Sequence, residues 1–175
     1  PLGGKIADAV KQERKLLAPI KGAADKVIDT TRLTLGELKE KISEMLGLTL
    51  TREMTLQVVS FGYKHGMPID ADIVMDVRFL PNPHYLSALR KKTGLDEPVQ
   101  KYILGQPVAR KFLNDWHKLI STLLPHYVRE GKSYLTIAIG CTGGRHRSVF
   151  CTRWLAQKLR ATGHPVQEFH RDISR

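Results

Sequence analysis

The run Tyr134-Leu135-Thr136-Ile137-Ala138-Ile139, followed by Gly140-Cys141-Thr142-Gly143-Gly144-Arg145-His146-Arg147-Ser148, constrains the fold of this chain more than any other feature. The first six residues are uncharged, β-branched and aromatic in large part, and read as a buried strand. Beyond the glycines, Val149, Trp154, Leu155, Lys158 and Leu159 fall near helical spacing, and Gly163 stands where a C-terminal stop is expected. The loop therefore joins the carboxyl end of a strand to the amino end of a helix, which is where ligands bind in open α/β sheets. The first amides of a helix have no intrahelical acceptor and carry partial positive charge, so an anion is favoured there. Gly143 and Gly144 permit close backbone approach, Thr142 and Ser148 offer hydroxyls, and Arg147 offers a two-pronged cation. A tight turn with solvated arginines is the plainer alternative, but a turn alone does not need Thr, His and two Arg in one loop.

Spacing brings in two enzyme readings. Cys141 to Arg147 fits C-x5-R with Ser148 next, the arrangement of a phosphatase with Cys141 as nucleophile and Arg147 holding the phosphate. Tyrosine-phosphatase loops usually carry His before the Cys, and here Gly140 stands there. A nucleotide P-loop ending in Gly131-Lys132-Ser133 fails, because His126 occupies the first glycine position and a strand follows instead of a helix.

The net charge of +11 is carried by the second half: residues 1–83 hold 12 Lys and Arg against 11 Asp and Glu, and residues 84–175 hold 16 against 6. Such an excess attracts polyanions, so Arg153, Lys158, Arg160 and Arg171 are candidate RNA contacts. No apolar stretch is long enough to span a bilayer and no signal-peptide pattern opens the chain, so a cytoplasmic protein is expected. The two cysteines, Cys141 and Cys151, lack zinc-ligand spacing and make a poor disulfide framework; no metal site is expected.

Elsewhere, Ile6, Val10, Leu16, Leu17 and Ile20 suggest an amphipathic helix, and Val27-Ile28-Asp29 a short strand. Thr34 to Glu37 has capping-box spacing, with Leu35, Leu38, Ile42, Met45 and Leu46 on one helical face and Gly47 as the stop. Thr55–Phe61 and Ile73–Phe79 read as strands flanking a loop that contains Lys64 and His65. The second runs into Pro81-Asn82-Pro83-His84, whose prolines stiffen the backbone around His84. Asp76 and Arg78 suit a structural ion pair, and Asn82 suits fixing the turn. Pro107 opens a long helix with Val108, Phe112, Trp116, Leu119, Ile120, Leu123, Leu124 and Tyr127 on its apolar face. Trp116 and Trp154 read as core, and His117 and His126 as surface or capping residues.

Four ordered blocks, Ser60 to Asp72, Asp76 to His84, Thr93-Gly94-Leu95-Asp96 and Ile139 to Ser148, resemble the C-terminal domain of the RapZ/YvcJ family. The resemblance covers residues 54 to about 173, and residues 1–50 resemble the last helix-strand-helix of that family's N-terminal P-loop domain, whose Walker loop lies upstream. It implies an α/β domain over 54–175 with a mostly parallel sheet and flanking helices, similar to a phosphofructokinase subdomain. It also implies a sensor or adapter without catalytic residues here, with ATP or GTP handled by the N-terminal domain. Its implied ligand is a phosphorylated amino sugar such as glucosamine-6-phosphate. The pocket residues it carries over are His84, Thr142, Gly143 and Arg147, with Gly144, His146 and Ser148 in the same loop. Cys141, Arg145, Lys64, His65, Arg78 and Asn82 stand in second rank, Arg145 replacing a Lys. Implied partners are a small RNA, a ribonuclease or another regulatory protein, and further copies of the chain in a homo-oligomer. An RNase adapter of that family ends in a Lys/Arg-rich tail, where this sequence reads His170-Arg171-Asp172-Ile173-Ser174-Arg175.

Overall fold

The computed structural model describes residues 6–47 and 54–175. They fall into two compact units divided between Thr34 and Leu35. The first contains helix α1 (Ile6–Ala23), whose apolar residues Ile6, Leu16, Leu17 and Ile20 stand exposed. The strand expected at Val27-Ile28-Asp29 does not form. Asp29 instead accepts hydrogen bonds from the Thr31 amide and hydroxyl, the local side-chain bonding that favours turns over strands.

In the second unit, helix α2 (Leu35–Leu46) ends at Gly47, whose φ of 63° supplies the left-handed cap expected from sequence. Lys39 of this helix donates to the Gly131 carbonyl (2.9 Å) and the Ser133 hydroxyl (2.7 Å), which fixes α2 beside the turn at 131–133.

The sheet has four strands, β1 (Thr55–Gly62), β2 (Ile73–Asp76), β3 (Tyr134–Cys141) and β4 (Val166–His170), in the order β2-β3-β1-β4. Every pairing is parallel, with Gly62 opposite Cys141 and Asp76 opposite Gly140, so three strands end together. Parallel strands need helical crossovers. Those described are α3 (Ser87–Arg90), α4 (Glu97–Leu104), α5 (Pro107–Arg129) and α6 (Arg147–Ala161). One core joins Leu56, Val58, Leu135, Ile137 and Ile139 of the sheet to Ile103, Leu113, Trp116, Ile120, Leu124, Leu155 and Leu159 of the helices.

Local pattern misjudged three details. β2 stops at Asp76: Val77 still donates to the Gly140 carbonyl, but the Asp76 carboxylate accepts from the Arg78 amide and turns the chain away from the sheet. The buried stripe of α5 is Ala109, Leu113, Trp116, Ile120 and Leu124, while Val108 and Leu119 are about half exposed. The third is β4 on the sheet edge, whose Val166-Gln167-Glu168-Phe169-His170 has no regular alternation of polar and apolar residues to mark it as a strand. Trp116 is buried and Trp154 packs against the same core, as expected.

Candidate anion-binding site

The loop between β3 and α6 lies with its backbone against the end of β1. A Cβ on Gly144, whose φ is 74°, would sit 2.7 Å from the Gly62 nitrogen, and one on Gly62 would sit 2.6 Å from the Gly143 carbonyl carbon. The Thr142 carbonyl accepts from the Lys64 amide at 3.2 Å, which joins the loop to the turn after β1. Gly140 is equally constrained, since a Cβ there would meet the Phe61 and Tyr63 rings at 2.5 Å. The position that holds His in tyrosine phosphatases is therefore filled by two aromatic rings.

A cavity of about 430 Å³ opens at this edge. Of the residues named from sequence, it is lined by His84, Thr142, Gly143, His146, Arg147, Cys141, Arg145, Lys64 and Asn82. Gly144, Ser148, His65 and Arg78 do not line it. Gly144 takes the positive φ that packs the loop on β1, and Ser148 is fully buried with its hydroxyl 3.1 Å from the Cys141 sulfur. Arg78 turns away to pair with Asp76 (2.7 Å) and to stack over Tyr63 (4.1 Å), which confirms the ion pair. The Arg78 bonds hold the Asp76 carboxyl below its usual pKa. His65 lends its carbonyl to Arg171. Asn82 caps the turn at Pro83–Tyr85 by accepting from the His84 amide, which places the His84 ring at the cavity, 6.1 Å from the His146 ring.

The cations are held in different ways. Arg147, only 5% exposed, donates through Nη1 to the carbonyls of Arg78 (2.7 Å) and Leu80 (3.0 Å), and through Nη2 to the Thr142 hydroxyl (3.3 Å). Its fork thus ties the segment after β2 to the loop. Because Thr142 Oγ1 accepts that bond, its own hydrogen is left to donate toward the cavity. Arg145 spreads its guanidinium over the carbonyls of Lys91, Lys92 and Ile173. His146 at the start of α6 is buried against the Leu89 carbonyl, and burial, aided by His84 and Arg145, holds its pKa below the usual histidine value. Tyr85, Arg90 and Arg175 also line the cavity and had no local signal; only tertiary packing brings them there. Five Lys and Arg residues line the space and no Asp or Glu does. The cavity lies at the amino end of α6, whose first residue Arg147 lines it and whose dipole favours an anion there.

Cys141 Sγ accepts from the Gly144 amide at 3.3 Å and is almost fully buried. The four basic residues considered for RNA line no part of the cavity. Arg153 and Arg160 pair with Glu168, Arg171 pairs with Asp172, and Lys158 lies over the Trp154 ring. No group of three or more His, Cys, Asp or Glu among the described residues is placed to hold a metal ion, and no described helix is long and apolar enough to cross a membrane.

Fold and cavity together define an α/β domain with a basic cavity at the carboxyl edge of a parallel sheet. The chain belongs to the RapZ family: the RapZ C-terminal domain matches residues 54–174, and the RapZ-like N-terminal domain matches residues 1–49. Similar proteins include a nucleotide-binding protein of Moorella thermoacetica, 47% identical over 173 residues and 99% of this chain. Others are nucleotide-binding proteins of Mycobacterium sp. strain KMS, 48% identical over the whole chain, and of Thermobifida fusca, 47% identical over 98% of it. The chain spans 58% of the length of each of these relatives.

Proposed function

We propose that this cavity binds a phosphorylated small molecule, of the amino-sugar phosphate class typified by glucosamine-6-phosphate, and that the domain acts as a sensor. The observation that carries the reading is the convergence of Lys64, Arg145, Arg147 and the Thr142 hydroxyl on one cavity at the amino end of α6, with no Asp or Glu in its lining. Thr142, Gly143 and Lys64 contact the phosphate, Arg147 fixes the loop and adds charge, and His84 meets the sugar from the facing turn. Ligand binding biases the protein between states that engage RNA, a ribonuclease or another regulatory protein, in proportion to its unequal affinity for those states. The nucleotide binding in the relatives' names belongs, in this reading, to a Walker-type loop outside these 175 residues, and the protein works in the cytoplasm as a homo-oligomer.

The test is calorimetry of the chain with glucosamine-6-phosphate, glucosamine, inorganic phosphate and a nucleotide, repeated for Thr142→Val and Lys64→Gln. The sugar phosphate binds and glucosamine does not, and each substitution weakens binding by about tenfold, the loss of a charge-assisted hydrogen bond. No binding of any phosphorylated compound overturns the assignment.

A further inference from the structure

The cavity holds more uncompensated positive charge than one phosphate monoester neutralises. Arg145 and Arg147 each place three hydrogen bonds on protein oxygens. Arg90 and Arg175 differ. Arg90 gives only its Nε to the protein, on the His84 carbonyl at 3.1 Å, and its two Nη groups have no acceptor among the described residues. Arg175 is 60% exposed and meets Asp172 Oδ1 only at 3.5 Å, longer than a good charge-assisted bond. Both line the cavity. They also belong to segments that are stapled together, because Arg145 bonds the Lys91 and Lys92 carbonyls with one side of its fork and the Ile173 carbonyl with another. Two guanidinium groups with donors to spare are thus anchored in one wall, apart from the Thr142–Gly143 floor. Like charges gathered in a concave site repel unless an anion joins them.

We infer a second anion subsite formed by Arg90 and Arg175, so that the cavity's ligand carries two separate anionic groups, as a sugar bisphosphate does. One phosphoryl group sits on the Thr142–Arg147 loop and the other is gripped by the two free forks, the geometry in which arginine recognises phosphate best. This rests on the cavity being a phosphate site, and the pair of ligands below separates the two claims.

Calorimetry at fixed ionic strength compares glucosamine-6-phosphate with glucosamine-1,6-bisphosphate, which differ by one phosphoryl group. The bisphosphate binds at least about tenfold more tightly to the unaltered chain. In Arg90→Gln/Arg175→Gln that advantage shrinks to about threefold or less, while the monophosphate affinity changes by less than about threefold. Lys91→Gln/Lys92→Gln removes the same charge from side chains that do not line the cavity and leaves the advantage intact. Equal binding of the two ligands overturns the second subsite alone. An advantage that survives loss of both arginines, or falls equally in the lysine variant, assigns it to general electrostatics and also overturns the subsite. Binding of neither ligand overturns both claims.

Discussion

Arg147→Ala separates two roles that sequence alone merges. The sequence suggests a cation aimed at a ligand, whereas the structure spends Nη1 on the carbonyls of Arg78 and Leu80 and Nη2 on Thr142. Truncation leaves the Leu80 carbonyl buried without its donor and the Arg78 carbonyl partly so. A buried acceptor left unpaired costs about 1–3 kcal/mol, with the partly wet one at the lower end, so the pair amounts to roughly 2–4 kcal/mol. That is a large part of the ~5–15 kcal/mol that holds a domain folded. At about 2–4 °C per kcal/mol for a domain of this size, it lowers the melting temperature by about 10 °C. Arg147→Lys keeps the charge but reaches one carbonyl, and loses about half as much. Urea unfolding followed by circular dichroism reads both variants. An alanine variant within ~0.5 kcal/mol of the parent, defective only in ligand binding, refutes the structural tie and makes Arg147 a ligand arm.

Three further outcomes follow from the same geometry. Gly144→Ala places a Cβ at positive φ, 2.8 Å from the Asp172 Cβ and closer to the Gly62 nitrogen; it destabilises by about 2–4 kcal/mol in the same unfolding assay, and a neutral result contradicts the packing of loop on strand. Burial holds His146 and His170 below the ordinary histidine pKa, so the unfolded chain takes up protons first as pH falls from ~6.5, and the urea midpoint drops between pH 7 and 5. Below that range a second loss comes from Asp172 and Glu168. Burial alone would raise their pKa, but arginine partners hold it down, so their stabilisation exists above ~4 and vanishes as pH falls through the depressed values; a midpoint flat from pH 7 to 3 rules this out. The third outcome concerns Cys141→Ser, which leaves sugar-phosphate affinity within about threefold, and the parent releases no phosphate from p-nitrophenyl phosphate. Turnover abolished by that substitution restores the phosphatase reading.

Local chemistry made part of this site legible. The apolar run of β3, the glycines after it and the helical spacing beyond Val149 located the loop, because strand and helix periodicity are written in adjacent residues. Asn82 with its two prolines and the Asp76–Arg78 pair were equally local. What stayed hidden was set by distant segments. Arg90 and Arg175 are brought to one cavity by Arg145, which joins the Lys91–Lys92 and Ile173 backbones next to them. Asp172, fully buried, supports the site from beneath by accepting from the Gly62 amide across 110 residues of sequence. Val27–Asp29 shows the converse, where strand-forming residues lose to an aspartate that accepts from the Thr31 amide two residues on. In α5 the burial stripe follows Ala109 and Leu113, because the partner surface decides which of several apolar residues faces inward.

The most direct measurement is a ¹H–¹⁵N titration of the chain with glucosamine-6-phosphate. If the cavity recognises phosphate, the amides of Thr142, Gly143, Arg145, His146 and Lys64 shift saturably, with His84 on the facing turn, and the basic residues on α6 beyond its first turn stay still. Shifts confined to Arg153, Lys158 and Arg160, or no saturable shift at the loop, contradict it.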